Sequence, residues 1–412
     1  MKASSTRLTS AQVAARLCIK PATLYTYVSR GLLSSERAEK GGSTFDPLDV
    51  EAFAASRRKG SRAAGGPDGR PLMVMDSDLT LLQNDELYFR GRSAVDLARR
   101  LQFEDGVRLL WATPNSRDDI DYRFVSRPDV VKAIRKANSA VGDSPRFMDR
   151  LKLALLIAGA KDPVRDSLGQ PAVRDAGRQI LSTMVDSLTD LQTRPPLSAP
   201  LATRLWAKVS PLEASIGNVQ LLNATMVLCM DHDLAISTMS ARVAASARTD
   251  PYAAVMAALS TLDGAMHGAA SIAAVEMLTE TLATGRAERA ISSQVARFGI
   301  IPGFGHIIYK EADPRARFLL KAMRELPDFR EALGAADRLS AVVLSRSPRP
   351  ANLDLALAVL VIGAKMQADA GELIFAVSRT AGWIAHILDE YAQPAMRLRP
   401  ESRYTGTKPF RR

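Results

Sequence analysis

The chain has 412 residues, 47% hydrophobic and 6% aromatic, with two cysteines and a formal net charge of +11. That length and composition describe a globular protein of two or three domains and exclude a disordered or disulfide-stapled chain. No stretch approaches the roughly 18 uninterrupted apolar residues of a membrane span, and the opening MKASSTRLTS lacks the apolar region of a signal peptide, so a cytoplasmic location is expected.

Residues 1–70 hold twelve Lys and Arg against six Asp and Glu, more than half of the whole excess. Such asymmetry suggests a nucleic-acid-facing segment joined to a more balanced body, with a solvated extension as the plainer alternative. In LTSAQVAARLCIKPATLYTYVSRGLL the spacing predicts two short helices. Thr9 and Gln12 make a capping box, Val13 and Leu17 form an apolar face, CIK is the turn, Pro21 suits a first helical position and Gly31 ends the second helix. SSERAEKGGSTF has the glycines of a small hairpin or wing, and a third helix is expected from Pro47. Leu24 and Val28 should face inward, leaving Lys20, Thr23, Thr26, Tyr27 and Arg30 toward solvent, a polar face suited to a major groove. Lys20, Thr23, Tyr27 and Arg30 are the candidate DNA contacts. The pattern resembles the winged helix-turn-helix of MerR and excisionase proteins; such units also serve as protein-interaction modules.

RRKGSRAAGGPDGRP has no apolar period and reads as a linker over residues 59–71. MVMDSDLTLLQNDELYFRGRS offers a few short strands, and nearly everything after it has helical period, as in AVDLARRLQFEDGVRLLW and ELIFAVSRTAGWIAHILDEY. Cys18 and Cys229 fall in separate apolar helical patterns and read as small buried hydrophobes, with no disulfide or metal site.

PGFGHIIYKEADPRAR sets two glycines around Phe304, follows them with His306, and adds Lys310, Arg315 and Arg317. Glycine admits close approach of another backbone or of a ligand, and the basic residues point to an anion. The other histidines are His232 in CMDHDLAIST, His267 in DGAMHGAAS and His386 in GWIAHILDE. A lone helical histidine is ordinarily a satisfied core residue, but His267 and His306 sit in glycine turns.

GAMHGAA, GFGHIIYKEADPRAR, NLDLALAVL, FAVSRTAGWIAHILDEY and LRPESRYTG occur in the order and spacing of the citrate synthase family, and LYFRGRSAVDLARRLQFEDGVRLLW is similar to its N-terminal signature. The resemblance implies an all-α, two-domain helical fold over residues 72–412, with a smaller subdomain at about 269–358 closing over substrate. The winged helix-turn-helix unit of residues 1–58 precedes it. It further implies a homodimer that joins acetyl-CoA, a substrate rather than a cofactor, to oxaloacetate without a metal. His267 would donate a hydrogen bond to the thioester oxygen, Asp354 would remove the α-proton, and His306 would polarise the ketone. His232, Arg315 and Arg379 would hold the dicarboxylate, and Arg399 would reach in from the partner subunit. The position of His386 is ordinarily structural.

The residue types agree with that chemistry. A thioester α-proton is a weak acid, so a carboxylate base needs a hydrogen-bond donor at the developing enolate oxygen. Arginine's planar fork suits a substrate with two carboxylates. Ala235, Ile307, Leu355 and Ala356 depart from the family pattern. Two alternatives stay open: a 2-methylcitrate synthase using propionyl-CoA, and a metabolite-sensing DNA-binding regulator that has kept the pocket without the catalysis.

Overall fold

A computed structural model describes residues 7–38, 41–58, 73–112, 123–142, 146–264, 267–268 and 270–407. Its N-terminal segment opens with strand β1 (Leu8–Thr9) and helix α1 (Ser10–Arg16). The Thr9 hydroxyl accepts from the Gln12 N–H while the Gln12 side chain accepts from the Thr9 N–H, the reciprocal cap that starts α1. Helix α2 (Pro21–Ser29) opens on its proline and ends before Gly31, whose φ of +67° is left-handed. Strand β3 (Ser43–Phe45) lies between β1 and β2 (Glu36–Arg37), antiparallel to both, and α3 (Pro47–Arg58) follows. Leu8, Val13, Leu24, Phe45 and Val50 close a small core of their own. Two residues of β1 are too few to show an alternating pattern, so the sequence does not reveal that strand. Cys18 corrects another expectation: it is exposed, at φ +51° in the turn between α1 and α2, because that turn needs left-handed backbone and points the thiol outward. The linker assigned to residues 59–71 lies outside the described residues.

Strands β4 (Thr80–Gln83), β5 (Glu86–Phe89) and β6 (Arg92–Ser93) form one antiparallel meander. Asn84 and Asp85, both at positive φ, make its two-residue hairpin turn. Beyond it the regular elements among the described residues are helices. The longest, Ala370–Tyr391, is buried along almost its whole length against helices Phe103–Trp111, Gln170–Asp186, Ile216–Cys229, Ile236–Ser246 and Pro251–Leu262. A second group gathers Ala270–Thr284, Ala287–Phe298, Arg330–Arg346 and Leu353–Gly363, and Pro314–Met323 touches both groups. One apolar core runs through the body and includes Trp111, Trp206 and Trp383, each fully buried. Leu48 of α3 belongs to that core, and Ala296 of the body packs on the small N-terminal one, so the N-terminal segment is seated on the second helix group. No helix among the described residues is long and apolar enough to cross a membrane.

Candidate active site

A cleft of about 1170 Å³ is lined from both helix groups, and His232, His267, His306, Arg315, Asp354 and Arg379 all reach it. Arg379 projects from the middle of helix Ala370–Tyr391 and is 1% exposed. Its Nε donates to the Cys229 carbonyl at 2.9 Å, its guanidinium lies 4.5 Å over the Phe375 ring, and its Nη2 is buried with no partner among the described residues. Burial lowers its pKa to about 10, which still leaves it charged at neutral pH. The reach of this arginine depends on Gly382, whose N–H donates to the Met230 carbonyl at 3.1 Å. A Cβ at Gly382 would collide with that carbonyl and with Asp231, so only glycine allows the two segments to touch there.

Arg315 opens helix Pro314–Met323. The Asp313 carboxylate accepts from the Arg315 backbone N–H and Nε, both at 3.0 Å, from Nη2 at 2.9 Å, and from the Leu353 N–H at 3.1 Å. One buried carboxylate thus ties the arginine to the start of the helix that carries Asp354. Burial opposes the Arg315 charge, but Asp313 outweighs it and raises the pKa above the ordinary value.

His306 has a defined tautomer. The backbone N–H groups of Ile308 and Tyr309 both point at Nδ1, at 3.1 and 3.4 Å, so Nδ1 is an acceptor and the proton sits on Nε2. Burial, then the nearby Arg315, lowers its pKa to about 4 and makes it a neutral N–H donor at pH 7. His232 lies edge-on to it at 5.2 Å and places Nε2 2.9 Å from the Tyr309 hydroxyl. Burial, then Arg315 and Arg379, holds His232 well below its ordinary pKa.

Gly303 and Gly305, at φ +80° and +78°, carry the chain into His306. The Gly305 N–H donates to the Pro350 carbonyl at 2.8 Å, and Asn352 donates from its backbone to Gly303 and from its side chain to Gly305, at 2.9 Å each. A Cβ on Gly303 would stand 2.9 Å from that of Leu355. The close approach these glycines permit is therefore to another stretch of backbone. The same Asn352 side chain caps the following helix, accepting from the Asp354 N–H at 3.0 Å. Asp354 is half-buried in the cleft wall. Burial lifts its pKa to about 6, with Arg315 opposing and Asp313 adding to the rise.

His267 lies in the turn between helices Pro251–Leu262 and Ala270–Thr284 and lines the same cleft as Asp354, its Nε2 2.8 Å from the Ser237 hydroxyl. Burial and Arg379 lower its pKa to about 4, so it too is neutral. Asp85, in the β4–β5 turn, accepts from the Lys310 and Glu311 N–H groups at 2.8 and 2.9 Å and pins the segment after His306.

Other expected residues stand apart. Arg399 is exposed in the C-terminal tail and does not line the cleft of the single chain. His386 is fully buried between Arg242 on Nδ1, at 3.0 Å, and Asp231 on Nε2, at 3.3 Å. Lys20 and Arg30, which flank α2, are exposed, and Thr23 within it is half-buried. Tyr27 departs from its expected solvent orientation: it lies edge-on to Phe53 at 5.0 Å and covers the small core, while Tyr25 is 59% exposed. Sequence reasoning missed Tyr309, Ser237, Asn352, Asp313 and Asp85 as supports of the site. Asp313, in an Asp-Pro helix start, and Asn352, an N-cap residue, carried local signals; the others did not. Among the described residues no group of three or more His, Cys, Asp or Glu is gathered as a metal ion requires.

The profile of the family described as "Citrate synthase, C-terminal domain" matches residues 69–401. Citrate synthase 2 of Bacillus subtilis (strain 168) is 29% identical over 353 residues, which cover 81% of this chain and 94% of that protein. A 2-methylcitrate synthase of Mycobacterium tuberculosis (strain ATCC 25618 / H37Rv) is 28% identical over 341 residues, 79% of this chain and 86% of that one. Among solved structures, citrate synthase from Thermotoga maritima MSB8 shares the fold with a TM-score of 0.66 at 24% identity, covering 82% of this chain and 95% of its own. Citrate synthase from Thermoplasma acidophilum, in ternary complex with carboxymethyl coenzyme A and oxaloacetate, gives 0.67 at 20% identity, covering 82% and 96%. The chain belongs to the citrate synthase family and is an acyltransferase of that family's kind.

Proposed function

We propose that the protein condenses a short acyl-CoA with oxaloacetate and water, giving citrate and free CoA when the acyl group is acetyl. The observation that carries this reading is the convergence in one cleft of a carboxylate with raised pKa, two neutral histidines and two buried arginines. Asp354 takes a proton from the acyl methyl group while His267 donates a hydrogen bond to the thioester oxygen. The enol carbon then attacks the ketone carbon of oxaloacetate, and His306 donates from Nε2 to the alkoxide that forms. Hydrolysis of the resulting thioester releases CoA. Arg315, Arg379 and His232 bind the dicarboxylate, with the unpartnered Nη2 of Arg379 as a ready donor. Propionyl-CoA is the second reading, favoured by the similar identity to a citrate synthase and to a 2-methylcitrate synthase. One methylene is worth only about 1–3 kcal/mol in an apolar pocket.

The working unit in this reading is a homodimer, with Arg399 completing the partner's site and the small subdomain at about 269–358 closing over substrate. Leu156 and Val164, 65% and 61% exposed, offer apolar surface for a second copy to cover. The decisive experiment is thiol release from acetyl-CoA and propionyl-CoA with and without oxaloacetate. Release that requires oxaloacetate supports the reading. Oxaloacetate binding without release from either thioester supports the sensing regulator instead.

Residues 1–58 act, in the same reading, as a winged helix-turn-helix domain that binds DNA through Lys20, Thr23 and Arg30 of the first two helices. Support comes from the exposed cations, the short turn between α1 and α2, and the adjoining hairpin. Fluorescence anisotropy with genomic fragments around the gene tests it. Binding that survives Lys20→Ala with Arg30→Ala at low salt counts against it.

A further inference from the structure

The N-terminal segment does more than sit on the body. Glu51 of α3 is 2% exposed and holds two arginines. Its Oε1 is 2.6 Å from Arg16 Nε, and its Oε2 is 3.4 Å from Nη1 of Arg349, which comes from the far end of the sequence and lines the catalytic cleft. The Arg349 stem runs along Gly305, where a Cβ would stand 3.5–3.6 Å from its three methylene carbons. Gly305 is bonded through its N–H to Pro350 and immediately precedes His306. Arg16 closes the other side: its guanidinium would lie 3.1–3.2 Å from a Cβ on Gly299, the residue just before the run 300–305 that lines the cleft. A second pair of contacts, Arg346 with Asp46 at 3.1 Å and with Asp49 at 3.4 Å, ties the N-terminal segment to the end of helix Arg330–Arg346, just before Arg349.

These contacts fall on one half of the cleft. Arg315, Arg379 and His232 are all under 9% exposed and form its deep end. Arg349 keeps 20% of its side chain exposed, and Ile307, which lines the same cleft, is 87% exposed, so this wall is the rim. A CoA thioester is far longer than oxaloacetate and has to leave the cleft across a rim. We infer that Glu51 is a positioning residue for the thioester half of the active site, acting through Arg349 to hold the two rim segments, 299–306 and 347–352, in register. The N-terminal segment is then a supporting wall of the enzyme, whatever else it binds. This inference rests on the proposed acyl-CoA reaction.

The test is steady-state kinetics of the full-length chain and of Glu51→Gln, Arg349→Ala and the double variant, each checked for its melting temperature. The wild type is measured first: no oxaloacetate-dependent CoA release from it defeats the proposed reaction and, with it, the inference. Given an active wild type, each single variant is expected to raise KM for the acyl-CoA by about three- to five-fold, the size of a partly exposed ion pair, and the double variant no further. KM for oxaloacetate should stay within about two-fold, because its binding groups are held by Asp313 and Cys229 instead. Additive effects in the double variant, equal changes in both KM values, or a lowered melting temperature with both KM values unchanged would each overturn the inference while leaving the reaction standing.

Discussion

The deep end of the cleft and its rim handle charge in opposite ways. At the deep end, Arg315 has a buried carboxylate on three of its donors, Arg379 has a backbone carbonyl, and His232 is held well below its ordinary pKa. At the rim, Arg349 is partly in water and its partner comes from a segment 298 residues away. In the first setting, low dielectric makes each interaction strong and each vacancy costly. In the second, solvent and salt weaken every contact, and geometry matters more than charge. The deep end should therefore respond to substitution in orders of magnitude, and the rim in small factors.

The largest effect should come from Arg379→Ala. Removing one partner of a buried charge contact costs about 2–5 kcal/mol, so KM for oxaloacetate should rise by roughly 10²- to 10³-fold. A rise below about ten-fold would erase the distinction between the two ends. Asp354→Asn removes the base and should lower kcat by at least about a hundredfold with KM values little changed, as read by thiol release. Asp313→Asn keeps the shape but removes the negative charge beside Arg315 and turns one of the two acceptor oxygens that serve Arg315 and the Leu353 N–H into a donor. Oxaloacetate KM should rise by about ten-fold, between the arginine deletion and the rim variants.

The pH profile sharpens the same contrast. The Asp354 carboxyl, with a pKa of about 6, is the base only when ionised, whereas His267 and His306 stay neutral down to about pH 4. The acid limb of kcat/KM should therefore fall with a single proton as pH drops through about 6. A limb that falls with two protons would mean that a histidine titrates with the base.

The smallest effect concerns Glu372, which is as buried as the deep-end arginines but has no hydrogen-bond partner for either oxygen among the described residues. Burial raises its pKa from 4.5 to about 7. Between those values the folded chain holds a proton that the unfolded chain has lost, so the stability contributed by this group falls as pH rises from about 4.5 to 7. Glu372→Gln should raise the melting temperature by roughly 1–2 °C at pH 8 and leave it nearly unchanged at pH 5, as measured by calorimetry. A loss at pH 8 would show that the ionised carboxylate is stabilised by a contact of its own.

What could be read from the chain alone follows from range. The Thr9–Gln12 cap, Pro21 and Gly31 act over three or four residues, and the first two helices begin and end where those signals lie. His267, His306 and Asp354 stand in short motifs, and the structure gathers all three in one cleft. Tyr27 was misjudged because α2 alone does not reveal that Phe53 of α3 covers that side of it. Ser237 beside His267, Asp85 beneath Lys310 and Glu51 on Arg349 depend on pairings 30, 225 and 298 residues apart, which no local period encodes.

The contact of Gly382 with Met230 has a practical corollary for building hybrids of this chain with its relatives. Arg379 and the Cys229 carbonyl that orients it lie on two packed helices, and at Gly382 they approach closely enough that a Cβ would clash. Transplanting helix Ala370–Tyr391 by itself would import a spacing matched to a different neighbour. The crossover points of a working chimera therefore have to keep residues 229–232 and 370–391 from the same parent.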